Sequence, residues 1–250
     1  VQTVKASILM LTIDRYELTK KVFEKNLERA KSAGVEIEVM VADNGSQDRR
    51  IVEYFATRTA YHRVNSKNEG INKAFNQLFL RSTGDVICIL GNDIEMPENW
   101  LKEALWYLDR VQQPGICGFD WGHGQIPPVS SVGGVSAGFL TPVLNRVFGS
   151  WILHRSLIDL LGLFHEGYGP YGIEDSDFNE RVNRAGYKSF YHPKLKSQHL
   201  GWDVGDKSAY RAMKDESLQA NANMFGHRLR HFDQGPEYLV EKLPPLREPL

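Results

Sequence analysis

Residues 36–46 read EIEVMVADNGS. The first seven have the apolar and β-branched content of a strand, and Asp43-Asn44-Gly45-Ser46 is a strong loop signal. A strand over residues 36–42 is therefore expected to end abruptly at an acid and an amide. The same unit recurs on either side. Upstream, residues 6–11 (ASILML) read as a strand followed by Thr12 and Asp14. Downstream, residues 86–90 (VICIL) form a continuous apolar run, as a buried parallel strand requires, and stop at Gly91-Asn92-Asp93. Helical patterns over residues 16–33, 49–58 and 71–81, a short strand at 61–64 and a polar loop at 65–70 fill the intervals. Alternating strands and helices predict βαβ units and an α/β fold with a Rossmann-like, mostly parallel central sheet flanked by helices.

The second half is less regular. Helices are expected over residues 99–111, 155–161, 174–185 and 206–231, the last with Asp206 as N-cap. Strands are expected at 115–119 and 135–139. Residues 120–150 are rich in Gly, Pro and Ser, and loops this long usually bind something. The stretch from Gly235 holds Pro236, Pro244, Pro245 and Pro249, a tail that wraps the surface or moves. No internal repeat interrupts this order, so residues 1–232 read as a single domain, with 233–250 as a Pro-rich tail.

Hydrophobic residues make up 42% of the 250, enough for a proper core, and the formal net charge of −1 gives no global pull toward nucleic acid or an anionic membrane. A local basic patch stays open. Cys88 and Cys117 lie in apolar runs (VICIL, GICGF), where reduced, buried thiols are expected. That reading fits a reducing compartment. With no apolar run of about 18 residues, the expectation is a cytoplasmic protein or a trimmed part of a larger one, since the chain starts at Val1.

In open parallel sheets, ligands bind beyond the carboxyl ends of the strands. Three successive ends carry polar groups here: Thr12 and Asp14, Asp43 and Asn44, Asn92 and Asp93. Each alone reads as a turn or a helix cap, but folding does not require three on one edge. A separate acidic cluster, Glu174-Asp175-Ser176-Asp177, follows the glycine-dense segment 167–172 and opens a helix. Acids there complement the helix dipole. That role needs only one or two of them and does not account for the glycines, so this cluster is the strongest acid–base candidate.

The ordered segments ASILMLTIDRYELT, VMVADNGSQD, NEGINKAFNQ, ICILGNDIEMPENWL, FHEGYGPYGIEDSDFNERVNRAGYKSFYHP and SQHLG resemble the family 2 glycosyltransferases, which have the GT-A fold, across residues 6–200. The resemblance implies a nucleotide-binding half at about 1–112 and an irregular acceptor-side half at about 113–232. It implies inverting transfer of a sugar from a nucleotide-diphosphate donor, a UDP-sugar by inclination, to an acceptor glycan or other hydroxyl-bearing molecule. By that likeness, Asp43 meets the nucleobase, while Thr12, Asp14 and Asn44 line the same pocket. Asn68, Gly70 and Asn76 sit by the pyrophosphate, where a helix N-terminus attracts anions. Gly91-Asn92-Asp93 matches a degenerate DXD element, with Asn92 beside the donor. Asp93, with Glu95 and the late His199, is implied to hold Mn²⁺ or Mg²⁺, ions that suit hard oxygen ligands shared with phosphates. Asp175 is implied as the catalytic base, Glu174 as the residue that orients the acceptor, and Asp177 as a residue that faces elsewhere or holds the helix start.

Trp121, Trp151, Trp202, Tyr168 and Tyr171 flank these loops as candidate sugar-stacking rings, Trp151 first among them, although each residue type is also common in cores. Two rival readings remain. A nucleotidyltransferase needs a glycine-rich, basic loop after the first strand, which TIDRYELTKK does not supply. A non-catalytic nucleotide-sugar-binding module is favoured by Gly91 in place of the first Asp and opposed by the intact Glu174-Asp175 pair. Saccharide, lipid-linked glycan, protein and modified nucleic acid all stay open as acceptor.

Overall fold

A computed structural model describes residues 4–122, 126–141, 146–201 and 209–242. The first half follows the strand–helix alternation closely: β1 (Lys5–Thr12), α1 (Tyr16–Ala30), β2 (Glu36–Asp43), α2 (Arg49–Phe55), β3 (Tyr61–Val64), α3 (Ile71–Phe79), β4 (Val86–Leu90), the short β5 (Ile94–Glu95) and α4 (Trp100–Arg110). The second half contains β6 (Pro114–Asp120), the hairpin β7 (Ser130–Val132) and β8 (Val135–Phe139), β9 (Trp151–His154), α5 (Arg155–Leu161), α6 (Glu174–Arg184), β10 (Lys188–Lys196), β11 (Gln198–His199) and α7 (Ala209–Phe232).

Nine strands form one sheet in the order β3-β2-β1-β4-β9-β6-β10-β8-β7. Seven point the same way; β9, inserted between β4 and β6, and β8 oppose them. The sheet is thus largely parallel, as expected. Three strands of this sheet were not expected, β7, β9 and the nine-residue β10, and β9 brings in the antiparallel pairings at the sheet's centre.

Side chains alternate across β1 and split the core into two layers. Ala6, Ile8 and Met10 face Phe23 of α1, Ile51 and Phe55 of α2, and Trp100 and Leu101 of α4. On the other face, Leu9 with Ile87 and Ile89 of β4 meets Leu78 and Phe79 of α3, Leu157 of α5, and Phe178 and Val182 of α6. Each fully buried aliphatic side chain contributes roughly 1.5–3 kcal/mol. The helices are therefore fixed on both faces of the sheet.

Cys88 and Cys117 are free and buried, separated by Ile152 of β9 in the strand register, and burial pushes both thiols up. Among the described residues no helix is long and apolar enough to cross a membrane. The first part of the Pro-rich tail is ordered: Pro236–Leu239 form a short 3₁₀ helix with Leu239 buried, and Gly162 bridges to Glu241. A β-carbon at Gly162, where φ is +76°, would overlap the Glu241 carbonyl, so that docking requires glycine. Pro244, Pro245, Pro249 and Asp206 lie outside the described residues.

Candidate functional site

The register collects the polar strand ends on one edge. Thr12 lies beside Asp43, Met10 beside Leu90, and Ile89 beside Trp151. The loops after β1, β2 and β4 and the approach to β9 consequently share the carboxyl edge of the sheet.

Asp43 is almost fully buried and held by its neighbours. Thr12 Oγ1 donates to Oδ1 at 3.1 Å, and Ser46 gives its N–H to Oδ2 at 3.2 Å and its hydroxyl to Oδ1. A base docking here would have to share that carboxylate with Ser46. Asp14 does not cap α1; its Oδ1 accepts the backbone N–H groups of Gln47 and Asp48 at 2.8 and 3.0 Å, and its own N–H reaches Ser46 Oγ at 2.7 Å. Asp14 and Arg15 both have positive φ, 49° and 58°, a conformation that costs L-residues energy and recurs at functional turns.

The third loop is an amide knot. Asn44 Nδ2 donates to Asn68 Oδ1 at 2.9 Å, and Asn44 Oδ1 accepts from Glu69 N at 3.0 Å and Asn65 Nδ2 at 3.2 Å. Gly70 N donates to Asn68 Oδ1 at 2.9 Å, and Ile71 N to the Pro170 carbonyl at 3.2 Å. Two N–H groups at the start of α3 are thereby used within the chain. Asn76 lies further along the helix, where its amide bonds Phe164 and Glu166. It ties α3 to the segment that leads toward α6.

After β4, Asn92 donates to Thr19 Oγ1 at 3.0 Å. The short β5–β11 pair sets His199 opposite Ile94, and His199 Nε2 stands 3.4 Å from Asp93 Oδ2, with Arg15 Nη1 at 3.5 Å. Burial works against the Asp93 charge, but the His199 ring and the Arg15 guanidinium win and hold the carboxyl below its usual range. Glu95 points the other way: Lys25 at 2.5 Å and Arg29 at 3.0 Å tie it to α1. Asp93 and His199 thus offer one carboxylate oxygen and one imidazole nitrogen, a donor set that suits Mn²⁺ or Mg²⁺ completed by phosphate oxygens and water. Among the described residues no group of three such ligands occurs, so a bound ion would need the diphosphate.

Glu174 and Asp175 open α6 and are half-buried. Burial and the neighbouring Asp175 charge push Glu174 up to about 8. Among the described residues its Oε2 has no hydrogen-bond partner. Asp175 is also raised by burial, against the pull of Arg146 and two bonds from Ser176. Both carboxyls are thus pushed up, and Glu174 keeps its proton to about 8, an arrangement suited to acid–base work. Asp177 faces away into the interior, where Arg181 Nε at 2.8 Å, Arg228 and the Tyr168 hydroxyl at 2.8 Å surround it.

The segment 146–150 joins the two acidic places. Arg146 reaches Ser176 beside Asp175. A β-carbon on Gly149 would stand 2.8 Å from Ile94 Cδ1 and 3.1 Å from Trp121 Nε1. Trp121 in turn packs on His199 with ring centroids 4.7 Å apart.

Residues 7–124 match the family model described as Glycosyl transferase family 2. The match spans just under half of the chain, its nucleotide-side part. Comparison of the sequence with curated proteins gives no significant match. Among solved structures, the chain is similar to mannosyltransferase PcManGT from Pyrobaculum calidifontis, in complex with GDP-Man and Mn²⁺, at TM-score 0.66 and 17% identity over 98% of this chain and 67% of that one. It is also similar to GalNAc-T7 with UDP, GalNAc and Mn²⁺ (TM-score 0.57, 15% identity, 82% and 46% covered) and to S. aureus TarS (0.56, 18%, 77% and 36%). The chain spans less than half of the last two. At these identities the likeness shows a shared fold, the GT-A architecture expected from the sequence.

Within this GT-A fold, two of the candidate stacking rings prove to be core. Trp151 is 3% exposed, stacks on Phe178 and donates to the Val147 carbonyl, because β9 carries it into the sheet; the expectation that it meets a sugar is corrected. Tyr168 is buried on Asp177. Tyr171 is partly exposed, with Lys214 Nζ 4.8 Å from its ring centroid, and Trp202 lies outside the described residues. Sequence reading missed Ser46, Arg15, Ser176 and Arg146. Ser46 stands inside the quoted DNGS turn and Arg15 beside Asp14, whereas Arg146 lies in a Gly- and Pro-rich stretch with no periodicity to mark it.

Proposed function

We propose that the chain moves a sugar from a nucleotide-diphosphate donor, a UDP-sugar, to a hydroxyl of a glycan or similar acceptor, with inversion at the anomeric carbon and with Mn²⁺ or Mg²⁺ as cofactor. The observation that carries this reading is the link, through residues 146–150, between Asp93 with His199 beside it and the carboxyl pair Glu174 and Asp175. GDP-Man and Mn²⁺ with PcManGT, and UDP, GalNAc and Mn²⁺ with GalNAc-T7, support the donor class.

In this reading Asp43 and Thr12 line the base site, and Asp93 and His199 would hold the ion. When bound, the ion offsets the negative charge that builds on the departing diphosphate. Asp175 accepts the proton of the acceptor hydroxyl as its oxygen bonds to the anomeric carbon and the bond to the diphosphate breaks. Glu174, still protonated, donates a hydrogen bond that orients the acceptor.

Calorimetry with UDP-, GDP- and dTDP-sugars, each with and without Mn²⁺, followed by a donor-hydrolysis assay, tests this. Manganese-dependent binding of one nucleotide with slow hydrolysis is expected. Gly91 in place of the first acid of the DXD element favours a second reading, a binding module without chemistry. Tight binding with no turnover of any donor or acceptor would select it.

A further inference from the structure

Asp175 is served by a relay that starts outside its own helix. Arg146 Nη1 donates to Ser176 Oγ, and Ser176 donates its hydroxyl at 3.1 Å and its backbone N–H at 2.6 Å to Asp175 Oδ1. The start of the relay is braced on three sides. The Arg146 guanidinium lies 4.4 Å from the centroid of the Phe148 ring. Phe148 N donates to Tyr191 Oη of β10 at 3.0 Å, and Val147 N donates to Asn179 Oδ1 of α6 at 3.0 Å. A guanidinium fixed in this way loses little further freedom when it bonds, unlike a loose surface cation.

Resting on the reading of Asp175 as base, we propose that Arg146 is a positioning residue: through Ser176 it engages Asp175 Oδ1 and favours the charged carboxylate, leaving Oδ2 to face the acceptor hydroxyl. Around Asp175 stand Glu174 from the same helix, Tyr191 from β10, and Asp120 at the end of β6, which acts on the same Tyr191. Burial works against the Asp175 charge, and Arg146 supplies the opposing field.

The test is a ¹³C-carboxyl NMR titration of Asp175, recorded in an E174Q background so that its partner does not titrate, with near-UV circular dichroism to verify folding. Arg146→Met is expected to raise the Asp175 midpoint by about one pH unit, since an opposite charge at this range commonly lowers a carboxyl by that much or more. Arg146→Lys should keep most of the wild-type midpoint, and Ser176→Ala should raise it by less than the Met variant. An Arg146→Met midpoint equal to wild type, or a Lys variant that shifts as far as Met, would overturn the proposal. If the Met variant does not fold, Ser176→Ala decides alone: an unchanged midpoint refutes the relay. The titration needs no turnover, so it is separable from the base assignment, which fails on its own if Asp175→Asn keeps full transfer.

Discussion

Two acidic places share the carboxyl edge of the sheet and are tuned in opposite directions. At Asp93, burial is overcome by His199 and Arg15, and the carboxyl is held charged. At the start of α6, burial and mutual repulsion dominate, and Glu174 keeps its proton up to about 8. The residue type is nearly the same; what differs is the supply of positive charge. On the proposed reading, the first place suits a cation and the second a proton. Asp177 sharpens the lesson. Two residues from Asp175, it is enclosed by Arg181 and Arg228 and serves the fold, joining α6 to α7.

If that contrast is right, the largest effect belongs to Asp175. Asp175→Asn should lower transfer by about 10²–10⁴-fold, the usual weight of a general base, while calorimetry finds UDP affinity unchanged. The same change at Asp177 should act on stability instead. Breaking a buried pair costs about 3–5 kcal/mol, so Asp177→Asn should lower the urea midpoint strongly. A stable variant with lost activity would instead place Asp177 in the chemistry. Next, Asp93→Asn and, to a lesser degree, His199→Ala should weaken nucleotide binding in Mn²⁺ and leave metal-free binding alone. Equal losses in both conditions would assign the pair to structure.

The smallest effect concerns pH. Glu174 binds its proton more tightly folded, at about 8, than at its ordinary 4.5. Its contribution to stability is therefore full below about 4.5 and is lost as pH rises through 8. The E174Q variant has no such proton, so its melting temperature should gain on wild type between pH 5 and pH 8. A difference independent of pH would place the Glu174 pKa near its ordinary value.

The nucleotide-side half was legible because each strand is a short run closed by a polar turn: β3 and β4 match the expected bounds, and β1 and β2 differ by one residue at their ends. The second half was harder for a physical reason. β9 is four residues that run straight into α5 without a turn, so its apolar content merges with the helix pattern and Trp151 reads as a loop residue. β10 contains Pro193, which argues against a strand, and it tolerates that proline in the irregular stretch between the pairings of Tyr191 with Gly118 and of Lys196 with Asp120. Asp175 stood out through its glycines, and these have identifiable work. A β-carbon at Gly172 would strike Leu218 Cδ2, and Gly169 N donates to Asn221 Oδ1 at 2.7 Å, so the loop lies tightly against α7. The approach of His199 to Asp93 depends on a two-residue strand pair that has no sequence signature.

The most direct test is a crystal structure of the chain with UDP and Mn²⁺. The account predicts uracil against Asp43 and Thr12, the ion bonded to Asp93 Oδ2 and His199 Nε2, and the β-phosphate on the side of the crevice that faces Asp175. A nucleotide bound away from this edge, or an ion held without Asp93, would contradict it.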